Sequence, residues 1–108
     1  MAVFKNAIKT NVTTVQTLYS TPASKTSILI ELDVANTTTA SQTVDVQVVD
    51  NSASATGYLV KGAPVPAGSA LQVVAGQKIV LEENDYIKVK SSSASDKVDV
   101  IMSLLEIT

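Results

Sequence analysis

Carboxylates are the only side chains in this sequence whose type and spacing suggest a chemical site. Glu82, Glu83 and Asp85 form an acidic cluster at a predicted turn, and oxygen ligands of this kind suit Ca²⁺. The cluster lacks the turn glycine and the alternating oxygen donors of a calcium loop, and Tyr86 and Ile87 follow it directly. The spacing favours a solvated hairpin, so we predict no metal site and no cofactor.

Two carboxylate pairs, Glu31 with Asp33 and Asp45 with Asp50, could serve glycoside hydrolysis, which needs two such groups beside a sugar. A sugar platform also needs aromatic side chains, and the four in this chain are dispersed: Phe4, Tyr19, Tyr58 and Tyr86. The chain has no Cys, His, Trp or Arg, which excludes thiolate and imidazole catalysis and Cys/His zinc sites. We therefore predict no catalytic residues and no enzyme activity.

The charge pattern argues against two classes of partner. The net charge is −2 and the eight lysines are scattered singly, so no basic stripe is available to neutralise nucleic-acid phosphates. No apolar run approaches the roughly 18 residues of a membrane helix. The first six residues lack the basic and then apolar pattern of a secretory signal, so we expect synthesis in a cytoplasm.

The elements that must position these side chains are predicted to be strands. Val, Ile and Thr, which favour strands, make up about a third of the chain. Apolar residues recur at every second position in several segments, which is the period of a strand with one buried face. The alternation predicts a core of Ile28, Ile30, Leu32, Val44, Val46, Val48, Ile87, Val89, Val98 and Val100. The last segment loses its alternation at Leu104 and Leu105, which predicts a bulge or a change of face there.

Turn residues divide the chain into short segments, and no segment fits a helical period better than alternation. The candidate strands lie near residues 3–9, 13–19, 27–35, 43–50, 56–61, 69–74, 78–82, 86–91 and 97–107. The serine-rich segment 91–95 is predicted to be a hairpin tip. We predict an all-β fold with residues 1–108 in a single β-sandwich domain of seven to eight strands and Greek-key or jelly-roll topology.

The first 12 residues differ from the clean strands that follow. Phe4, the one Phe in the chain, and Ile8 stand among Lys5, Asn6 and Lys9. The segment is interpreted as either an edge strand of the same sandwich or an arm that reaches a neighbouring subunit. We predict that Phe4 and Ile8 contact a partner, because a desolvated aromatic anchor dominates many interfaces.

The strand and turn pattern over nearly the whole chain resembles small virion structural proteins of tailed bacteriophages. The segments that carry the resemblance include Thr13 to Tyr19, Thr26 to Thr38, Tyr58 to Lys61, Val65 to Gly68, Gly76 to Glu82, Asp85 to Val89 and Val98 to Ile107. The resemblance implies a β-sandwich that decorates or cements a capsid, binds the major capsid protein or other virion proteins, and forms a homo-oligomer, most often a trimer. It implies location in the virion and transfers no active-site residues.

Two other functions remain open at this point. A receptor-binding or carbohydrate-binding module of a tail or fibre would use a sandwich of this size, although the chain is poor in aromatic residues. An immunoglobulin-like adhesion domain is the third interpretation, and it lacks the Cys and Trp pattern and the secretion signal.

Overall fold

All regular structure in the described part of the chain is β-strand. The computed structural model describes residues 1–91 and 97–108, so residues 92–95 of the predicted serine-rich hairpin tip lie outside the described residues. The strands are β1 (Ala2–Val12), β2 (Gln16–Ser20), β3 (Thr26–Asn36), β4 (Gln42–Asp50), β5 (Ala55–Val65), β6 (Ala70–Leu81), β7 (Tyr86–Ser91) and β8 (Val98–Ile107). No helix in these ranges is long and apolar enough to cross a membrane.

The strands form two four-stranded antiparallel sheets that pack face to face as a jelly roll. The first sheet has the order β1-β8-β3-β6 and the second has the order β2-β7-β4-β5. The pairs are nested, because β4 pairs with β5, β3 with β6, β2 with β7 and β1 with β8. The chain is therefore one long antiparallel ribbon that turns back at β4–β5 and winds around itself, which confirms the predicted all-β sandwich.

The core lies between the two sheets and is filled by alternate residues of the inner strands. Most of the predicted core residues are buried there, and Val48 is partly buried against the same cluster. The fully buried members include Leu29, Leu32, Val34, Val46, Val74, Leu81, Ile87, Val89, Val100, Met102 and Leu104. The bulge or change of face predicted at Leu104 and Leu105 is wrong, because the alternation of β8 continues to its end and places Leu104 and Glu106 inside.

The prediction that Ile28 and Ile30 belong to the core is also wrong. A β-bulge lies between Leu29 and Glu31, which face the adjacent β8 residues Leu104 and Ser103 and so leave Ile30 as the extra residue. The extra residue moves the buried face of β3 by one position. As a result Leu29 is completely buried before the bulge, whereas Ile28 is half-buried on the outer face.

The two short strands predicted at 69–74 and 78–82 are one strand, β6, with an irregular centre. Across from the bulged Ile30, β6 has three residues between Ala75 and Ile79, and two of them, Gly76 and Lys78, have φ of 94° and 63°. These positive φ angles turn the backbone without ending the strand, and they explain why the sequence around Gly76 resembles a turn.

Candidate functional site

The edge strand β1 carries Phe4 and Ile8 on the outer face of the first sheet. Phe4 lies opposite Leu105 of β8, and Ile8 lies opposite Ile101. Residues 101 and 105 alternate with the buried residues of β8, so all four side chains point away from the core. Phe4 is 77% exposed and Ile8 is 55% exposed. Pairing as an edge strand therefore does not bury Phe4 in its own sandwich.

Phe4 begins an apolar row that crosses the whole outer face of the first sheet. Leu105 is opposite Phe4, Ile28 is opposite Leu105, and Val80 of the far edge strand β6 is opposite Ile28. We call these four residues the apolar row. Val80 is 61% exposed. The β3 bulge helps to build this row, because it leaves Ile28 on the outer face.

A pair of carboxylates lies beside the apolar row on the same outer face. Glu31 is opposite Ser103, and Asp33 is opposite Ile101 of β8. Oδ1 of Asp33 is buried without a hydrogen-bond partner, and its carboxylate raises the pKa of Glu31 through their hydrogen bond and charge repulsion. This pair lies on an open sheet surface, which does not provide the cleft that glycoside hydrolysis requires.

The second predicted carboxylate pair has structural contacts. Oδ1 of Asp45 accepts a hydrogen bond of 2.7 Å from the amide of Gly62, at the bulge of β5. Oδ1 of Asp50 accepts hydrogen bonds from the Ser52 hydroxyl and the Ala53 amide in the turn after β4. Both carboxylates therefore stabilise local turns of the backbone.

The acidic turn between β6 and β7 is organised by Asp85. This residue is 3% exposed, and its two oxygens accept amide hydrogen bonds of 2.9 Å from Asn51 and Glu82. Carboxylate oxygens of Asp50, Glu82 and Asp85 come within 4.8 Å of one another. Glu83 points elsewhere and accepts a hydrogen bond from the amide of Ser24. Both Asp85 oxygens accept hydrogen bonds from backbone amides, so Asp85 links the turn after β4 to the turn after β6. We call this pair of contacts the loop clamp.

A buried carboxylate near one end of the sandwich was not predicted from the sequence. Glu106 is 3% exposed, and its Oε1 lies 2.9 Å from Nζ of Lys5 and 3.1 Å from Nζ of Lys25. The Tyr19 hydroxyl donates to Oε2 at 2.9 Å and contacts the Ser27 hydroxyl at 2.7 Å. Hydrogen bonds from Lys5 and Lys25 lower the pKa of Glu106 to about 2. This cluster joins β1, β2, β3 and β8.

The outer face of the second sheet carries several lysines, with Asp45 opposite Lys90. Lys88 and Lys90 alternate with the buried residues of β7 and therefore point outward. The ammonium groups of Lys61 and Lys88 lie 5.1 and 5.8 Å from the ring centres of Tyr58 and Tyr86. We call Lys61, Lys88 and Lys90 with these two tyrosines the lysine face. A shallow hollow of about 540 Å³ adjoins Lys88, and it is lined by Val15, Gln16, Thr17, Ser20 and Tyr86.

Comparison with known proteins supports the fold but identifies no family. No protein-family model matches the chain, and no curated protein matches it in sequence. Among solved structures, a chain of the infectious bursal disease virus T13 particle aligns with a TM-score of 0.61 and 11% identity, over 97% of this chain and 30% of that chain. A chain of the capsid of Helicobacter pylori bacteriophage KHP30 aligns with a TM-score of 0.57 and 11% identity, over 99% of this chain and 87% of that chain.

A third similar structure comes from an assembly of another kind. A chain of the disulfide-linked pili that form Bacillus endospore appendages aligns with a TM-score of 0.58 and 13% identity, over 100% of this chain and 87% of that chain. Identities this low show a shared fold alone. What this chain has in common with all three is the two-sheet β-sandwich.

Proposed function

We propose that this protein is a non-enzymatic structural protein of a bacteriophage virion, and that it decorates and stabilises the capsid through protein contacts. The observation that carries the proposal is the apolar row across the outer face of the first sheet. Phe4 and Val80, at its two ends, are 77% and 61% exposed. A contiguous exposed apolar surface on a small soluble domain is typical of a protein interaction site.

The composition and the fold support the same function. A decoration protein has to be stable without disulfides, and this chain has no cysteine. Two of the structurally similar chains come from virus particles, the phage KHP30 capsid and the infectious bursal disease virus particle, which supports a place in a virion.

We propose further that the protein works as a homo-oligomer, most simply a trimer at three-fold positions of the shell, with Phe4 and Ile8 at the contacts. A pilus subunit like those of the endospore appendages is less well supported, since disulfide-linked assembly needs cysteine. A sugar-binding module is also less well supported. Tyr58 and Tyr86, the tyrosines of the lysine face, lie on an open sheet surface, and each has a lysine ammonium group near its ring.

The proposal is tested by locating the protein in particles released from the source culture. Mass spectrometry and antibody labelling of gradient-purified particles should find it in many copies on the capsid. Absence from the capsid, or a few copies at the tail tip, would refute the decoration role.

Substitutions in β1 test the contact residues. Phe4→Ser with Ile8→Ser should reduce binding of the purified protein to particles that lack it. Val3→Ser is the matched control, because Val3 is 42% exposed and faces the opposite side of the same strand. Equal loss of binding in both variants would refute the assignment. Substitution is preferable to deletion of residues 2–9, which would uncover the paired edge of β8.

A further inference from the structure

We propose that the outer face of the first sheet binds the lysine face of a second copy of this chain, with the Glu31 and Asp33 carboxylates against Lys88 and Lys90. The contact requires no virion, so the inference goes beyond the function proposed above and is tested on the purified protein. It rests on the charge and spacing of the two faces and on the position of the residues around them.

The acidic pair lacks a counterion. Within residues 1–91 and 97–108, the ion pairs found are those of Glu106 with Lys5 and Lys25. The Glu31 side chain is exposed on the outer face, and Asp33 is partly exposed beside it. The repulsion between Asp33 and Glu31 would also be relieved by a cation. A partner that covers this face should therefore present ammonium groups.

The lysine face of the same chain presents such groups at the matching spacing. Glu31 and Asp33 are two residues apart on β3, and Lys88 and Lys90 are two residues apart on β7. Outward residues at this separation in a strand lie about 7 Å apart, so both ion pairs can form together. In the described ranges Lys88 and Lys90 make no ion pair. This match between two faces of one molecule is why the proposed partner is a second copy.

The surroundings of the two charge pairs also fit together in position. Ile101 lies opposite Asp33 on β8, and Ile8 lies opposite Ile101 on β1. They are therefore about 5 and 10 Å from Asp33, in the direction of the β1 edge. The hollow beside Lys88 lies in the direction of the β2 edge of the second sheet. With β3 laid over β7, β8 lies over β2, so Ile101 covers the hollow while Asp33 meets a lysine, and β1 extends beyond the β2 edge.

The contact joins two different faces, so a dimer keeps one free face of each kind. The two outer faces lie on opposite sides of the sandwich, so repeated contacts extend an open stack of copies, and this contact is separate from the trimer proposed above. The outer face of a four-stranded sheet with strands of this length covers roughly 600 Å². Counted over both copies, this area is near the lower end for specific interfaces, so we expect association at micromolar to millimolar protein concentrations.

Sedimentation velocity of the purified full-length chain tests the inference. The wild-type protein should associate with rising concentration, and less so when NaCl is raised from about 0.05 M to about 0.5 M. The double variants E31K/D33K and K88E/K90E should each reduce the association constant at least about tenfold. A mixture of the two variants should regain association. The first-sheet face of E31K/D33K is positive and meets the second-sheet face of K88E/K90E, which is negative. The unchanged acidic face of K88E/K90E likewise meets the unchanged lysine face of E31K/D33K.

The control is E82K/E83K, which changes the net charge as much as E31K/D33K but lies at the turn after β6. It should associate like the wild-type protein. All four substituted positions of the test variants lie on outer faces, and cooperative thermal unfolding will verify their folds. Replacement of the acids by E31Q/D33N gives a milder second variant if E31K/D33K does not fold.

Three results would overturn the inference. The first is a wild-type protein that stays monomeric up to millimolar concentration, which would leave the acidic face to a different partner. The second is self-association that either charge variant retains in full. The third is a mixture of the two folded charge variants that stays dissociated.

Discussion

The bulge in β3 makes a sharp prediction about neighbouring side chains. Leu29 is completely buried, opposite Leu104 and Ile79, whereas Ile28 is half-buried on the outer face. Leu29→Ala removes three buried carbon atoms, each worth about 0.8 kcal/mol of transfer free energy, or about 2.4 kcal/mol together. The cavity that remains raises the expected loss of unfolding free energy to about 3–4 kcal/mol. Ile28→Ala should cost at most about 1.5 kcal/mol.

Urea unfolding followed by circular dichroism measures both losses, with the slope of the transition checked for a change in the denatured state. The thermal midpoint of Leu29→Ala should fall by at least about 12 °C for a domain of this size. After the bulge, Leu32→Ala should again lose about 2–5 kcal/mol and Asp33→Ala under about 0.5 kcal/mol. A greater loss at Ile28 than at Leu29 would mean that the alternation runs uninterrupted and that the bulge is misplaced.

Three further predictions concern polar and backbone features. Folding lowers the pKa of Glu106, so its stabilising effect is full above the unfolded-state pKa of about 4.3 and is lost as the pH falls toward 2. Glu106→Gln should therefore make the free energy of unfolding depend less on pH in this window. Asp85→Ala should lose about 3 kcal/mol in urea unfolding, because it leaves two loop amides without their acceptor, and a loss below about 1 kcal/mol would contradict the clamp. Gly76→Ala should lower the thermal midpoint because φ is 94° there. The control Gly57→Ala, in an open position without positive φ, should leave the midpoint unchanged or raise it. Equal effects of the two substitutions would show that φ is not the cause.

The sequence was sufficient for the fold class because its main signal is local. Alternation in β4, β7 and β8 identified Val44, Val46, Ile87, Val89 and Val100 as core residues, and all are buried. Alternation does not reveal an inserted residue, however. Ile28, Leu29 and Ile30 are equally apolar, so nothing in the sequence marks Ile30 as the position where the buried face of β3 changes.

The candidate surface was only partly predictable for a related reason. Phe4 and Ile8 were conspicuous because of their polar neighbours, but the apolar row depends on the register between four strands that are distant in sequence. Glu106 was overlooked because an acidic residue at the end of a strand is ordinarily solvated. Continued alternation past Leu104 was the one signal that could have placed it inside.

The nested strand pairs have a consequence for the order of folding. The β4–β5 hairpin closes a short loop, whereas pairing β1 with β8 joins the two ends of the chain, where the Met1 amino group lies 2.7 Å from the Thr108 hydroxyl. Loop closure is entropically cheaper for near segments, so we expect the ribbon to zip from its centre outward and β1 to dock last. The strand that carries Phe4 and Ile8 is then in place only when the rest of the domain has formed. In a newly synthesised chain, the outer face that carries Phe4 and Ile8 would therefore be complete only after the other strands have paired.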